Sequence, residues 1–154
     1  MKHELCQNLY KRFPTIFKYR DEKLGVDNKF LGIYCEDGWY KLIYELCEML
    51  EKVDSDCYVR QVKEKFGTLH FYIVGNKNSH DVTFTYERKS ENICEYCGRK
   101  GKLRNLTWTK TLCFFHYVEH RYLQIKYRIF WKFHSWPYAF KIKYKEIKKR
   151  LFNR

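Results

Sequence analysis

Cys94-Glu95-Tyr96-Cys97, followed after fifteen residues by Cys113-Phe114-Phe115-His116, decides how the C-terminal half of this chain is read. Two pairs with this spacing can bring three thiolates and one imidazole around a single tetrahedral zinc ion. A tight turn aims Cys94 and Cys97 at the metal, and Gly98 and Gly101 suit the unusual backbone angles of such a knuckle. Lys102 to Leu112 reads as a short hairpin. The second pair then falls at the start of a helix, where an i, i+3 spacing sets Cys113 and His116 one turn apart on the same face. Knuckle, hairpin and helix form a treble-clef-like arrangement; the alternative is a reduced, metal-free core. All four ligands are protein side chains, so the expected ion is structural, one per chain, with no open position for water. Its binding, on the order of 10 kcal/mol, is expected to hold this half of the chain folded.

The helix that begins at the second pair continues by pattern to Ser135. Val118, Tyr122, Ile125, Ile129 and Phe133 form an apolar stripe, expected to pack, and Arg121, Gln124, Arg128 and Lys132 form a cationic stripe beside it. Pro137 breaks the run, and Tyr138 to Phe152 resumes it with Phe140, Tyr144, Ile147 and Leu151 on one side. Phe140 to Lys145 also alternates with period two, which leaves a strand open at its start. The candidate nucleic-acid contacts are Arg121, Arg128, Lys132, Lys141, Lys145, Lys148, Lys149 and Arg150. Cations of this kind neutralise phosphates, while exposed aromatic rings stack on unpaired bases. A solvated basic face over an aromatic core is the plainer reading, and a membrane-surface helix anchored by Trp131 and Trp136 is a third.

Upstream of the knuckle, Lys2 to Arg12 reads as a short helix with Leu5, Leu9 and Phe13 on one side, stopped by Pro14. Residues 14–34 read as irregular. Asp37-Gly38 opens the clearest helix of the first half, where Trp39, Leu42, Ile43, Leu46, Leu50 and Val53 follow a core-facing pattern. Tyr58 to Lys65 and Thr68 to Val74 flank Gly67 as a β-hairpin, and Val82, Phe84 and Tyr86 predict a third strand. Gly75 to His80 and Arg88 to Asn92 read as polar loops. The predicted fold is α+β: a small antiparallel sheet packed on helices, a treble-clef-like zinc site and a basic helical C-terminus. Its parts are an N-terminal α+β region (1–90), a zinc module with a long helix (91–136) and a basic aromatic helix (137–154).

At 154 residues the chain can bury a core without staples, and its aromatic content of 19% argues against disorder. The net charge of +13 is unevenly placed: residues 1–116 hold 20 basic and 16 acidic side chains, net +4, and residues 117–154 hold 11 and 2, net +9. Such a patch attracts nucleic acid, anionic lipid or an acidic protein surface, although a base-biased genome also enriches Lys, Tyr and Phe. No apolar run approaches a membrane span and no signal-peptide core follows Met1, so a cytoplasmic location is expected. Seven cysteines in that setting argue for metal binding or burial over disulfides. Cys6, Cys35, Cys47 and Cys57 are read as buried or incidental. Residues 98–112 contain no His, Asp or Glu, which a nuclease site in the hairpin would require. His3, His70, His80, His120 and His134 fall in no catalytic constellation, and no glycine-rich phosphate loop is present.

Four segments carry a resemblance: Cys35-Glu36-Asp37-Gly38-Trp39-Tyr40-Lys41-Leu42-Ile43, Gln61 to Tyr72 with Val62-Lys63-Glu64-Lys65-Phe66-Gly67 at its centre, Cys94 to Asn105, and Trp108 to His116. Together they resemble a family of small, mostly uncharacterised proteins of bacteriophages, prophages and bacterial genomes that share a Gly-Trp helix, this hairpin and a four-ligand Cys/His site; if the chain is phage-encoded, the expected location is the cytoplasm of the bacterial host. The likeness spans residues 35–116, about half the chain. It implies the ligands Cys94, Cys97, Cys113 and His116 and a mobile-element origin, and it transfers no activity. His70 stands where the family more often has Arg, Phe114 where it often has Asp, and the long basic tail is atypical. The function expected is therefore a non-enzymatic, phage-type zinc protein that binds nucleic acid through its C-terminal surface. The alternative is an inhibitor or adaptor docking on a host defence or nucleic-acid-processing complex, and a nuclease ranks below both.

Overall fold

The strongest apolar stripe of the first half becomes the central helix of the α+β fold. In the computed structural model, which describes residues 1–18 and 32–134 and gives the backbone alone for 132–134, Asp37–Trp39 form one 3-10 turn that leads into α2 (Tyr40–Val53). Trp39, Ile43, Leu46, Cys47 and Leu50 are fully buried. Ahead of it, α1 (His3–Arg12) ends just before Pro14, and Leu9, Phe13, Ile16 and Phe17 join the same core. Among its described residues, the region read as irregular thus supplies Ile16 and Phe17 to the core, with Ile33 packed against it.

The predicted hairpin has the expected limits, β2 (Tyr58–Lys65) and β3 (Thr68–Val74). Gly67 sits at its tip with φ +80°, a left-handed conformation that costs glycine least. Val59, Val62, Leu69 and Phe71 point inward. The sheet is mixed, not purely antiparallel, because a two-residue strand β1 (Ile33–Tyr34) runs parallel to β2, pairing Ile33 with Val62 and Tyr34 with Lys63.

The third predicted strand is a helix. Lys77–Ser90 form α3, capped by the Asn76 side chain, which accepts from the Ser79 N–H at 3.0 Å. Val82 and Tyr86 lie one turn apart and pack on the core while Phe84 faces solvent. Three alternating residues therefore fitted a strand and a helix equally well. The helix buries Ser79, Thr83 and Ser90, a face of small polar side chains that hydrophobic periodicity does not register. It also covers the outer edge of β3, where the Leu69 N–H donates to Ser90 Oγ (2.9 Å) and the Phe71 N–H to Glu87 Oε1 (2.7 Å). Both polar loops of the sequence reading lose residues to this helix.

The predicted second hairpin is present as β4 (Lys102–Arg104) and β5 (Lys110–Leu112), followed by α4 (Phe114–His134). The chain divides into two units after Tyr117, the second beginning within α4 at Val118. In that unit Val118, Tyr122, Ile125 and Ile129 are 47–62% exposed, so the expected packing stripe is on the surface.

Candidate metal centre

Three local structures deliver the four candidate ligands. The knuckle is closed by the Gly98 N–H donating to the Cys94 carbonyl (2.8 Å) and the Cys94 N–H to the Arg99 carbonyl (2.7 Å), with Gly98 at φ +72°. The hairpin fixes it in register, since the Glu95 N–H donates to the Thr111 carbonyl at 3.0 Å. Cys113 immediately precedes α4, and its carbonyl accepts from the Tyr117 N–H at 3.0 Å, which places His116 in the first turn. The donor atoms of Cys94, Cys97, Cys113 and His116 all lie within 4.8 Å of one another and can hold one metal ion. Nδ1 of His116 stands 3.4 Å from Cys94 Sγ and 3.3 Å from Cys113 Sγ, and Cys97 Sγ is 3.8 Å from Cys113 Sγ.

The thiols differ in their electrostatics. Cys94 and Cys113 are buried and Cys97 lies at the surface. Desolvation raises Cys94 above the usual thiol range, partly offset by backbone N–H groups aimed at its sulfur. At Cys97 desolvation is the largest single effect and raises the group, but Arg99, whose Nε donates to Sγ at 3.4 Å, together with the Arg99 backbone and the neighbouring thiols outweighs it, so the group is lowered to about 6. The remaining four cysteines are buried as expected. Burial pushes Cys35 up to about 12 and Cys57 to about 11, and holds Cys47 well above its ordinary value, which disfavours the thiolate at all three.

Residues named in the sequence for their helix and hairpin, and not for the metal site, lock the knuckle to the first half of the chain. The Gly38 N–H donates to the Glu95 carbonyl (2.7 Å), and Trp39 Nε1 donates to the Ile93 carbonyl (2.9 Å). A methyl group on Gly38 would stand 2.3 Å from the Cys94 oxygen and 2.5 Å from Gly98 N, so only glycine fits this contact. On the other side, Lys110 Nζ lies 2.7 Å from Glu95 Oε2 and 3.8 Å from Glu64 Oε2, with the Glu95 side chain only 2% exposed. Burial raises Glu95 above the usual carboxylate range, with Lys110 opposing. Glu64 also accepts from the Gly67 N–H (2.7 Å) and Trp108 Nε1 (3.2 Å), and Thr111 Oγ1 donates to the Gly67 carbonyl (2.7 Å). The Gly-Trp helix and the Val-Lys-Glu-Lys-Phe-Gly hairpin are thus the two walls that seat the knuckle.

Of the predicted nucleic-acid contacts, Arg121 and Arg128 are exposed on α4 and Lys132 lies on its backbone. Lys141, Lys145, Lys148, Lys149 and Arg150, with the predicted helix 138–152, lie outside the described residues. Among the described residues no helix is long and apolar enough to cross a membrane. Comparison with protein-family models, curated proteins and solved structures finds no match for this chain.

Proposed function

We propose that this chain is a non-enzymatic, phage-type zinc protein that binds nucleic acid through the basic, aromatic surface of its C-terminal helix. The donor set supports zinc, because three thiolates and an imidazole are the soft and borderline ligands that this ion takes in closed tetrahedral sites. Ligands at about 2.3 Å (sulfur) and 2.0–2.1 Å (nitrogen) from one tetrahedral centre stand roughly 3.8 Å and 3.5 Å apart. The separations of 3.8, 3.4 and 3.3 Å agree with this. Four protein ligands fill the shell, so the ion's part is to hold the treble-clef-like knuckle, hairpin and helix together, while Arg99 tempers the charge on Cys97.

One observation carries the nucleic-acid reading. Tyr122, Tyr127 and Trp131 are 62–64% exposed on a helix whose Arg121, Lys126 and Arg128 also face solvent. Glu119 is the one acidic residue between positions 114 and 134. Cations hold the phosphates, and the rings offer stacking surfaces. A second reading, an inhibitor or adaptor docking on an acidic host protein complex, draws on the exposed Val118, Leu123, Ile125, Ile129 and Phe130, for which phosphates have no use.

Salt titration of binding to duplex DNA separates the two. Each phosphate contact contributes about −0.9 to the slope of log K against log salt, so Arg121→Ala with Arg128→Ala is expected to flatten that slope by up to about 2. A parent protein with no salt dependence refutes the proposal. Retention of a host protein after nuclease treatment favours the second reading.

A further inference from the structure

From the solvent face of the β1–β3 sheet we infer a stacking platform for single-stranded nucleic acid. This rests on the reading that the chain binds nucleic acid, but not on α4 as the place; it adds strandedness and a separate surface.

The register defines the face. Ile33, Val62 and Phe71 stand side by side and turn toward the core, so their successors in the next row, Tyr34, Lys63 and His70, stand side by side on the opposite face. Tyr72 is two residues beyond His70 on β3, and Lys65 two beyond Lys63 on β2. Tyr34 is 63% and Tyr72 40% exposed. The His70 and Tyr72 rings are stacked at 6.1 Å with an interplanar angle of 23°, and Lys63 Nζ lies 4.9 Å from the Tyr72 ring centre.

The charge on this face has one sign. The single acid in the three strands, Glu64, turns to the other side, where Gly67, Trp108 and Lys110 engage it. The other charged residues of the three strands are all basic: Lys63 and Lys65 stand on this face, set among three aromatic rings, and Arg60 sits at the irregularity between Val59 and Gln61. Lysines alone would suit any polyanion. Three rings in adjacent rows are explained by flat partners, and the faces of nucleic-acid bases are accessible only when unpaired. A sheet face cannot enter a duplex groove as a helix does, whereas an extended strand can lie across it with phosphates toward the lysines. The rings sit on paired strands, so little side-chain freedom is lost when a base stacks.

The test uses the full zinc-loaded chain. Fluorescein-labelled oligo(dT), a duplex DNA and phosphatidylcholine–phosphatidylserine vesicles are titrated against the parent, Tyr34→Ala, Tyr72→Ala, Tyr72→Phe, Lys63→Ala and the Arg121→Ala/Arg128→Ala pair. Stacking is worth about 1–3 kcal/mol per base, so each Tyr→Ala variant is expected to weaken oligo(dT) binding about 5- to 150-fold while sparing the duplex. Tyr72→Phe keeps the ring and is expected to bind as the parent does. Where Tyr72→Ala lowers thermal stability, Tyr34→Ala and Lys63→Ala carry the test. Oligo(dT) affinity unchanged in both Tyr→Ala variants, an equal loss on duplex and single strand, or a loss seen only with vesicles overturns the platform. If the arginine pair alone abolishes binding, the platform falls and the α4 reading stands; if the parent binds neither nucleic acid, both fall.

Discussion

Gly38→Ala sets two effects of opposite sign against each other. Gly38 is not in a left-handed conformation, so alanine would ordinarily stabilise it by about 0.4–1 kcal/mol through the unfolded chain. Here the added carbon would meet backbone at 2.3 Å (Cys94 O), 2.5 Å (Glu95 O) and 2.5 Å (Gly98 N). To restore contacts of about 3.5 Å the knuckle must retreat by roughly 1 Å. That retreat breaks the 2.7 Å bond from the Gly38 N–H to the Glu95 carbonyl and stretches the one from Trp39 Nε1 to Ile93. Overpacking costs about 1–3 kcal/mol and a lost hydrogen bond about 1, so the steric effect wins with a net loss of about 2–3 kcal/mol. Urea unfolding in excess zinc, followed by far-UV circular dichroism, measures it, and the melting temperature should fall by about 5–10 °C. An unchanged or raised midpoint would refute the claim that the glycine is there for the knuckle.

Metal analysis of the purified chain is expected to return one zinc per molecule. Cys113→Ser or a strong chelator should remove it and, with about 10 kcal/mol of binding lost, unfold the knuckle and hairpin; metal-free protein with intact exchange protection there would sink the site. Lys110→Met leaves Glu95 buried beside an apolar group and should cost about 3–5 kcal/mol at neutral pH, with part of that recovered when Glu95→Gln is added. A neutral single variant would contradict the pairing. Asp54 is held below its ordinary value of 3.8 by the Asn76 N–H and by the Ser79 hydroxyl, each at 2.7 Å. The unfolded chain therefore takes up this proton first, and the stability Asp54 contributes is present above pH 3.8 and lost as the pH falls through the folded value. Asp54→Asn should flatten that acid limb, and an unaltered pH profile of unfolding would exclude the role.

Sequence and structure agree where the signal is local. β3 follows from period-two alternation after Gly67, β2 keeps its predicted limits although an irregularity between Val59 and Gln61 sets its inward Val59 and Val62 three residues apart, and α2 follows from a stripe of side chains that all meet one core. They part where the signal is weak or shared. β1 is two residues long and has no period, and its place beside β2 depends on pairing across nearly thirty residues. The alternation of Val82, Phe84 and Tyr86 belongs to α3, whose inward face is Ser79, Thr83 and Ser90. Arg99 was within reach of sequence reasoning as a cation next to the knuckle; Glu95 and Lys110 were not, because neither lies in a pattern that announces its partner.

By itself, the amino-acid order determined the candidate ligand pairs, because Cys94 with Cys97 and Cys113 with His116 are brought together by single turns of backbone whose shape three or four residues decide. The folded chain alone decided what surrounds them. Gly38 meets the knuckle, Glu64 reaches Lys110, and α4 shows its apolar stripe to solvent, and each of these depends on which surface, distant in sequence, comes to lie opposite. Local geometry is encoded in neighbouring residues, whereas burial and electrostatic partnership belong to pairs of surfaces and exist only once both have formed.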